Sequence, residues 1–531
     1  MAANSPFYHW VPRPLEDGCL IGFLLAQTLI SGVSSYSINE VTAGLGQENE
    51  IIRIAFYGSS IGLVTMLPIY YRLRQFWIRK RLLLIALTLE LILCLVAPLL
   101  NYGWEFVAVS FLMGAVKCIC LIDGIGMFMA RFNQQNSRGL FYGMYYPISF
   151  IGGQVAGFLA AWGIIHYDWS FTYYVAIPGI ASSMAIVTFL MHPNRTGHKI
   201  PLYQMDWTGC FYFVLFTFSL SYVCVFGERL DWLESPDIRL GAGMALFAVI
   251  MFLARELTVK RPFIRLDTWK KYFQVRVGIT FMILLYLVYN TSAIQTAFME
   301  RVLRYDHEYV ASVMLYMIPS FLVVIPLTGL LLHRHYSVRI LLAIGFTLFT
   351  VYYFLTAKLF YPELEEGLLI LPQMLKGAAY GITITTLSYY ASTNVPKEYN
   401  GHRAVFSVAS RFVIAMPVTA AILGEWTFHA QRQQLMLLTE KMGLDNYALH
   451  NFLRGSQATL QSKGMDSNQA QAAATALLQG KVQQQVIMLA GQDIYTALGF
   501  ISLIMTITVL LMRQLDAHYL QHRNSYSLLD T

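Results

Sequence analysis

The chain has 531 residues, is 56% hydrophobic and 13% charged, and has a mean hydropathy of +0.51. Soluble proteins carry about 25% charged residues, so this composition argues against a soluble enzyme and for a chain that lies mostly in lipid. The net charge of +7 comes from short Lys and Arg clusters between apolar runs, which is how cytoplasmic loops look and not how a nucleic-acid surface looks.

Residues 1–17 are polar, and the apolar run beginning at Cys19 has no small-residue cleavage site, which predicts an uncleaved first span. A bilayer core takes about 20 apolar residues per helix. Runs of that size fall at 18–37, 52–71, 82–101, 105–129, 140–162, 171–191, 207–227, 238–255, 277–298, 312–332, 340–360, 367–390, 404–425 and 494–513, fourteen in all. The predicted fold class is therefore an all-α integral membrane protein. Basic clusters follow the even-numbered spans: Arg72, Arg74, Arg79, Lys80 and Arg81; Arg131 and Arg138; Arg195 and Lys199; the group from Lys260 to Arg276; Arg334 and Arg339; Lys397 and Arg403. The opposite loops are neutral or acidic, so both termini are expected on the cytoplasmic side of the membrane.

The fourth span carries two charges, Lys117 near its midpoint and Asp123 six residues on, and the third carries Glu90. A charge at the bilayer centre costs about 2.5–3.5 kcal/mol on insertion scales, so such groups face a bundle interior, a cavity or an opposite charge. Glu90 and Lys117 sit at similar depth on successive helices, which allows a structural ion pair. Asp123 is about 120° around the helix from Lys117 and is the freer acid, suited to load and release a proton.

Beyond the thirteenth span, residues 427–492 are rich in Gln and Ala, with Gly443, Gly455 and Gly464 as punctuation and Asp466-Ser467 as a cap. Strong helix formers here predict helices outside the membrane that extend the last two spans. The six cysteines, Cys19, Cys94, Cys118, Cys120, Cys210 and Cys224, all lie in apolar runs and read as small fillers. No Gly-rich phosphate loop, Gly-x-Ser-x-Gly or His-Glu-x-x-His occurs, and His333 and His335 lie in a short basic loop. No cofactor is indicated; a membrane-embedded enzyme and a channel are the remaining alternatives to a transporter.

Several stretches carry a family resemblance: the hairpin Gly227-Glu228-Arg229-Leu230-Asp231-Trp232, the entry Trp269-Lys270-Lys271-Tyr272-Phe273, Leu371-Pro372-Gln373 with Gly377, Val395-Pro396-Lys397-Glu398, Ser410-Arg411, and Ala490-Gly491-Gln492-Asp493-Ile494. With fourteen spans and a long outer loop before the last, the chain resembles the fourteen-helix drug:proton antiporters of the major facilitator superfamily, the EmrB/QacA type. That resemblance implies a proton-coupled secondary exporter of drugs or other amphipathic small molecules. It implies an N-terminal six-helix half (1–200), an inserted two-helix hairpin (201–260) and a C-terminal half (261–531) with the outer helical loop 427–492. It also implies, for some members, a periplasmic adaptor protein and an outer-membrane channel, with the loop as docking surface.

The first half departs from the pattern. Leu29-Ile30-Ser31-Gly32 stands where the family has an acid in span one, and Pro68-Ile69-Tyr70-Tyr71-Arg72 where it has Gly-x-x-x-Asp-Arg. The family topology puts spans one, four, nine and twelve around the cavity. Candidate cavity residues, spaced to share a face, are Gln27, Ser31, Ser34 and Ser35; Tyr286, Tyr289 and Asn290; and Gln373, Lys376, Tyr380 and Thr383. The alternative is that the serines pack helices and the tyrosines fill space. Arg411 is a further candidate, able to pair with a carboxylate or to snorkel. Asp123, then Glu90, are the candidate proton-coupling acids.

Overall fold

A computed structural model describes residues 6–30, 38–133, 137–193, 205–259, 261–393, 395–396, 399–442 and 447–515. Ser31, Ser34, Ser35, Arg195, Lys199, Lys260, Lys397, Glu398 and Gly443 lie outside the described residues.

The described chain is helical. The first half runs α1 (Arg13–Leu29), α2 (Ile38–Leu45), α3 (Asn49–Phe76), α4 (Arg79–Val96), α5 (Gly103–Phe132), α6 (Arg138–His166), α7 (Phe171–Tyr174) and α8 (Ala176–Ala185). A hairpin of α9 (Trp207–Phe226) and α10 (Pro236–Thr258) follows. Then come α11 (Asp267–Lys271), α12 (Phe273–Tyr289), α13 (Ser292–Arg301), α14 (His307–Met314), α15 (Ile318–His333), α16 (Val338–Ala357), α17 (Ile370–Ser392), α18 (Asn400–Ala409), α19 (Met416–Lys441), α20 (Tyr447–Ser462) and α21 (Ser467–Leu511).

Thirteen helices among the described residues are long and apolar enough to cross a bilayer, against the fourteen expected. The difference lies in the first span. Its described helix starts five residues before the predicted 18, at Arg13, is 17 residues long and leaves helical geometry at Ile30. The ninth span is interrupted at Asn290 and Thr291, between α12 and α13. Interrupted helices expose backbone polar groups and are tolerated at membrane depth where they are buried in protein or line a cavity.

The helices pack in a pattern set by small residues. α3 lies along α5, and a Cβ on Gly62 would meet the Phe111 carbonyl oxygen at 2.0 Å while one on Gly114 would meet that of Ser59 at 1.8 Å. Only glycine permits this backbone approach. α15 packs along α6, and α16 lies between α17 and α21.

The hairpin is pinned at both ends. At one, Asp206 caps α9 by accepting from the Gly209 N–H (3.0 Å) and pairs with Arg255 Nε at 2.7 Å. At the other, Arg229 reaches Glu48 (2.8 Å) and Glu50 (3.2 Å), and the Arg229 guanidinium holds the Glu48 carboxyl below the usual range. Trp232 Nε1 donates to Glu425 of α19 at 2.8 Å. The segment past the thirteenth span is helical, as the composition predicted: α19 runs on to Lys441 and α20 packs against α21.

Candidate functional site

The sequence-predicted residues of the second half converge. On α17, Gln373, Lys376 and Tyr380 lie three and seven residues apart on one face and are all buried. Lys376 is 2% exposed. Its Nζ donates to Thr291 Oγ1 at 3.4 Å and sits 5.5 Å from the Tyr289 ring centre and 5.8 Å from that of Tyr352. No carboxylate pairs with it among the described residues. A desolvated cation over an aromatic face is worth about 2 kcal/mol, so the rings offset part of its burial cost. The break between α12 and α13 supplies this setting, because Tyr289 is the last residue of α12 and Thr291 is the second of the two non-helical residues.

Tyr289 stacks on Tyr380 with ring centres 3.9 Å apart, and Tyr286 lies 6.3 Å from Tyr289. Asn290 donates to the Met416 carbonyl (3.3 Å) and to Thr419 Oγ1 (3.2 Å), which ties the break to α19. Arg411 is buried in a π-helical turn, Ser410–Ala415, between α18 and α19. Such bulges are frequent at functional sites. Its guanidinium faces the hydroxyls of Tyr286, Tyr146 and Tyr380 and lies over the Phe412 ring at 4.8 Å. Among the described residues Arg411 is therefore engaged with tyrosines and with no carboxylate, and it is buried rather than at a lipid interface.

The site also draws on α6, which sequence reasoning missed. Tyr142, Tyr146 and Phe150 form an aromatic stripe at i, i+4 and i+8, with neighbouring ring centres 5.3 and 5.2 Å apart. Phe150 meets Tyr380 at 5.2 Å, and the Tyr146 hydroxyl and Ser388 Oγ are 2.5 Å apart. Arg138, at the start of the same helix, donates to the Ser392 carbonyl. The four-residue spacing was legible; its partner on α17 was not. Behind Lys376 stand Tyr352, Tyr353 and Tyr495, with Tyr353 donating to the Val288 carbonyl.

Gln373 and Gln27 are fully buried, and both amide atoms of each lack a hydrogen-bond partner among the described residues. Gln295, on α13, is in the same condition. Buried polar atoms are normally satisfied, so these three glutamines stand out from the rest of the buried polar set. Gln27 lies on α1, which packs on α5, α6 and α8.

The two acids differ from expectation. Asp123 is the more restrained: it accepts from the Tyr70 hydroxyl at 2.6 Å and pairs with Arg74 Nε at 3.0 Å and Arg79 Nε at 3.1 Å. Those arginines close α3 and open α4, so Asp123 pins the basic end of α5 to the turn between them. The six-residue spacing from Lys117 gave its direction around the helix but no view of donors some fifty residues earlier. Glu90 is fully buried, and neither carboxylate oxygen has a hydrogen-bond partner among the described residues. Lys117 lies close enough to interact with it electrostatically, yet no ion pair within 4.0 Å forms between them.

A second cluster joins the two parts of the molecule on the face opposite the basic loops. His307, at the start of α14, places Nδ1 2.9 Å from Glu300 of α13 and 3.4 Å from Glu40 of α2.

Residues 19–417 match the sequence profile of the Major Facilitator Superfamily, and the chain belongs to that family. It is 24% identical over 309 residues to the multidrug export protein EmrB of Escherichia coli (strain K12), a match covering 56% of this chain and 58% of that protein. It is 23% identical over 254 residues to the colistin resistance protein EmrB of Acinetobacter baumannii, covering 46% and 48% of the two chains. The chain thus spans about half the length of these relatives, 58% of one and 48% of the other. Among solved structures, a proton-dependent oligopeptide transporter superposes with TM-score 0.55 at 12% identity, over 94% of this chain and 98% of its own. A POT family transporter in complex with 5-aminolevulinic acid gives 0.54 at 12%, over 95% and 98%. These two likenesses are of fold.

Proposed function

We propose that the protein is a proton-coupled secondary exporter of amphipathic aromatic small molecules, of the fourteen-helix drug:proton antiporter type. The observation that carries this is the pairing of two buried basic side chains, Lys376 and Arg411, with tyrosines of α6, α12, α16 and α17 and, among the described residues, with no carboxylate. Such a site favours a flat apolar ligand bearing a negative or strongly accepting group. The similarity to the multidrug export protein EmrB of Escherichia coli supports export as the direction. Residues 1–200 and 261–531 act as two halves about this site, with 201–260 as an added hairpin. Both termini face the cytoplasm of an inner membrane.

Alternating access then has one set of contacts to break on each face: Glu40 with His307 on the outer side, and Arg138 with Ser392 on the basic side. For coupling, the unpartnered Glu90 is better placed to change protonation than Asp123, which three donors hold. The test is proton movement out of acidified inverted membrane vesicles on addition of aromatic amphiphiles. No substrate-dependent pH change across a panel of aromatic acids, bases and neutral compounds would reject proton-coupled export.

A second reading makes the chain the membrane subunit of a tripartite assembly with a periplasmic adaptor and an outer-membrane channel. It is favoured by exposed apolar side chains on the outer helices, Leu435, Met436 and Leu437 of α19, Tyr447 of α20 and Leu477 of α21. Deletion of 444–464 is expected to spare insertion and vesicle transport while abolishing co-purification with an adaptor.

A further inference from the structure

A separate cavity of about 390 Å³ opens on the basic face, away from the tyrosine site. Four parts of the chain wall it: Pro68, Tyr71 and Arg72 near the end of α3, Asp206 and Trp207 at the start of α9, Arg261 and Phe263 in the connection after α10, and His402 of α18. It therefore lies where the first half, the hairpin and the second half meet.

Its charge is unbalanced. Arg72 lies close enough to Arg261 and to Arg265 to be repelled by each, and no carboxylate pairs with any of the three among the described residues. Asp206 is the acid in the wall, and its charge is already taken by Arg255 at 2.7 Å and by the cap of α9. His402 Nδ1 accepts from the Arg265 backbone N–H at 3.4 Å, which puts the ring proton on Nε2 as a further donor. Its wall carries exposed aromatic residues, Trp207 at 58% and Tyr71 at 42%, and Phe211, one turn of α9 beyond Trp207, is 61% exposed. Trp and Tyr favour the headgroup level of a bilayer, and basic pockets between membrane helices on the cytoplasmic side suit phosphate headgroups.

We propose that this cavity binds the phosphate of an anionic phospholipid, with Arg72, Arg261 and His402 as donors and the acyl chains lying against Trp207 and Phe211. Because the site spans α3 and α18, a bound headgroup holds the two halves together on the basic face. The lipid thus favours the state closed on that side. Its departure or displacement accompanies opening. Placing one negative charge among three like positive charges at low dielectric also stabilises the fold of the occupied protein.

The test uses the purified full chain in a neutral detergent. Thermal-unfolding midpoints are recorded against short-chain phosphatidylglycerol, short-chain phosphatidylcholine and inorganic phosphate. The expected result is a saturable rise with phosphatidylglycerol alone, weakened at least tenfold in apparent affinity by Arg261→Gln and by Arg72→Gln, and kept by Arg261→Lys. Arg261 is exposed, so its substitution tests the site even where Arg72→Gln impairs folding. Equal stabilisation by phosphatidylcholine, or an unchanged response in Arg261→Gln, would overturn the site. The same variant-sensitive rise with inorganic phosphate alone would overturn the lipid assignment in favour of a free anion.

Discussion

Tyr289 and Tyr380 stack with ring centres 3.9 Å apart and planes 18° from parallel, across the break in the ninth span. Their shared face lies beside Lys376 and completes one wall of the proposed binding site. An aromatic pair contributes about 1 kcal/mol beyond its buried area, so Tyr380→Ala is expected to weaken binding of an aromatic ligand roughly fivefold. Tyr380→Phe should keep the stack and bind nearly as the parent does. Equilibrium binding to detergent-solubilised protein checks both.

Asp123 behaves as a latch in this account. Removing it leaves Arg74, whose side chain is 10% exposed, without its counter-charge, and breaking a buried pair costs about 3–5 kcal/mol. Asp123→Ala should lower the yield of monodisperse protein sharply. Arg79→Gln should do so less, because that side chain is 23% exposed. Size-exclusion profiles of the two variants in detergent give the comparison. A stable Asp123→Ala whose only defect is the pH dependence of export would restore Asp123 as the coupling acid.

Glu90→Gln makes the complementary case. It keeps the volume and removes the titrating group, so insertion should be normal while the export rate loses its pH dependence. The measurement is initial export rate against pH, with Asp123→Asn alongside.

The outer clasp gives a conformational prediction. In a background lacking the six native cysteines, Glu40→Cys with His307→Cys brings two thiols together where Nδ1 and Oε1 now lie 3.4 Å apart. Treatment with a short cleavable bifunctional thiol reagent should stop transport, and cleavage should restore it. Full activity of the cross-linked protein would show that this contact does not open.

Much of the fold was legible because lipid imposes a simple rule: a span needs about 20 apolar residues. The thirteen long helices fall on thirteen of the predicted runs, and the Gln- and Ala-rich segment is helical. The first span was harder to place, because Ser31 to Ser35 read as part of one apolar run while the described helix stops at Leu29. On α17, seven-residue spacing correctly put Gln373, Lys376 and Tyr380 on one face. What periodicity could not supply was the partner across the molecule. Tyr70, Arg74 and Arg79 around Asp123, or Tyr146 opposite Ser388, are contacts between helices far apart in sequence, and spacing along one helix carries no information about them.

The central claim is that Lys376 anchors the negative group of an aromatic ligand moved in exchange for protons. It is tested most directly in proteoliposomes with an imposed pH gradient, by comparing uptake of a fluorescent aromatic sulfonate with uptake of an aromatic cation of similar size. A charge-assisted hydrogen bond contributes about 1.5–3 kcal/mol, so Lys376→Gln should weaken half-saturation for the sulfonate roughly 10- to 100-fold and leave Lys376→Arg much less affected. Gradient-driven transport of the sulfonate that is unchanged in Lys376→Gln, or transport of the cation alone, would contradict the account.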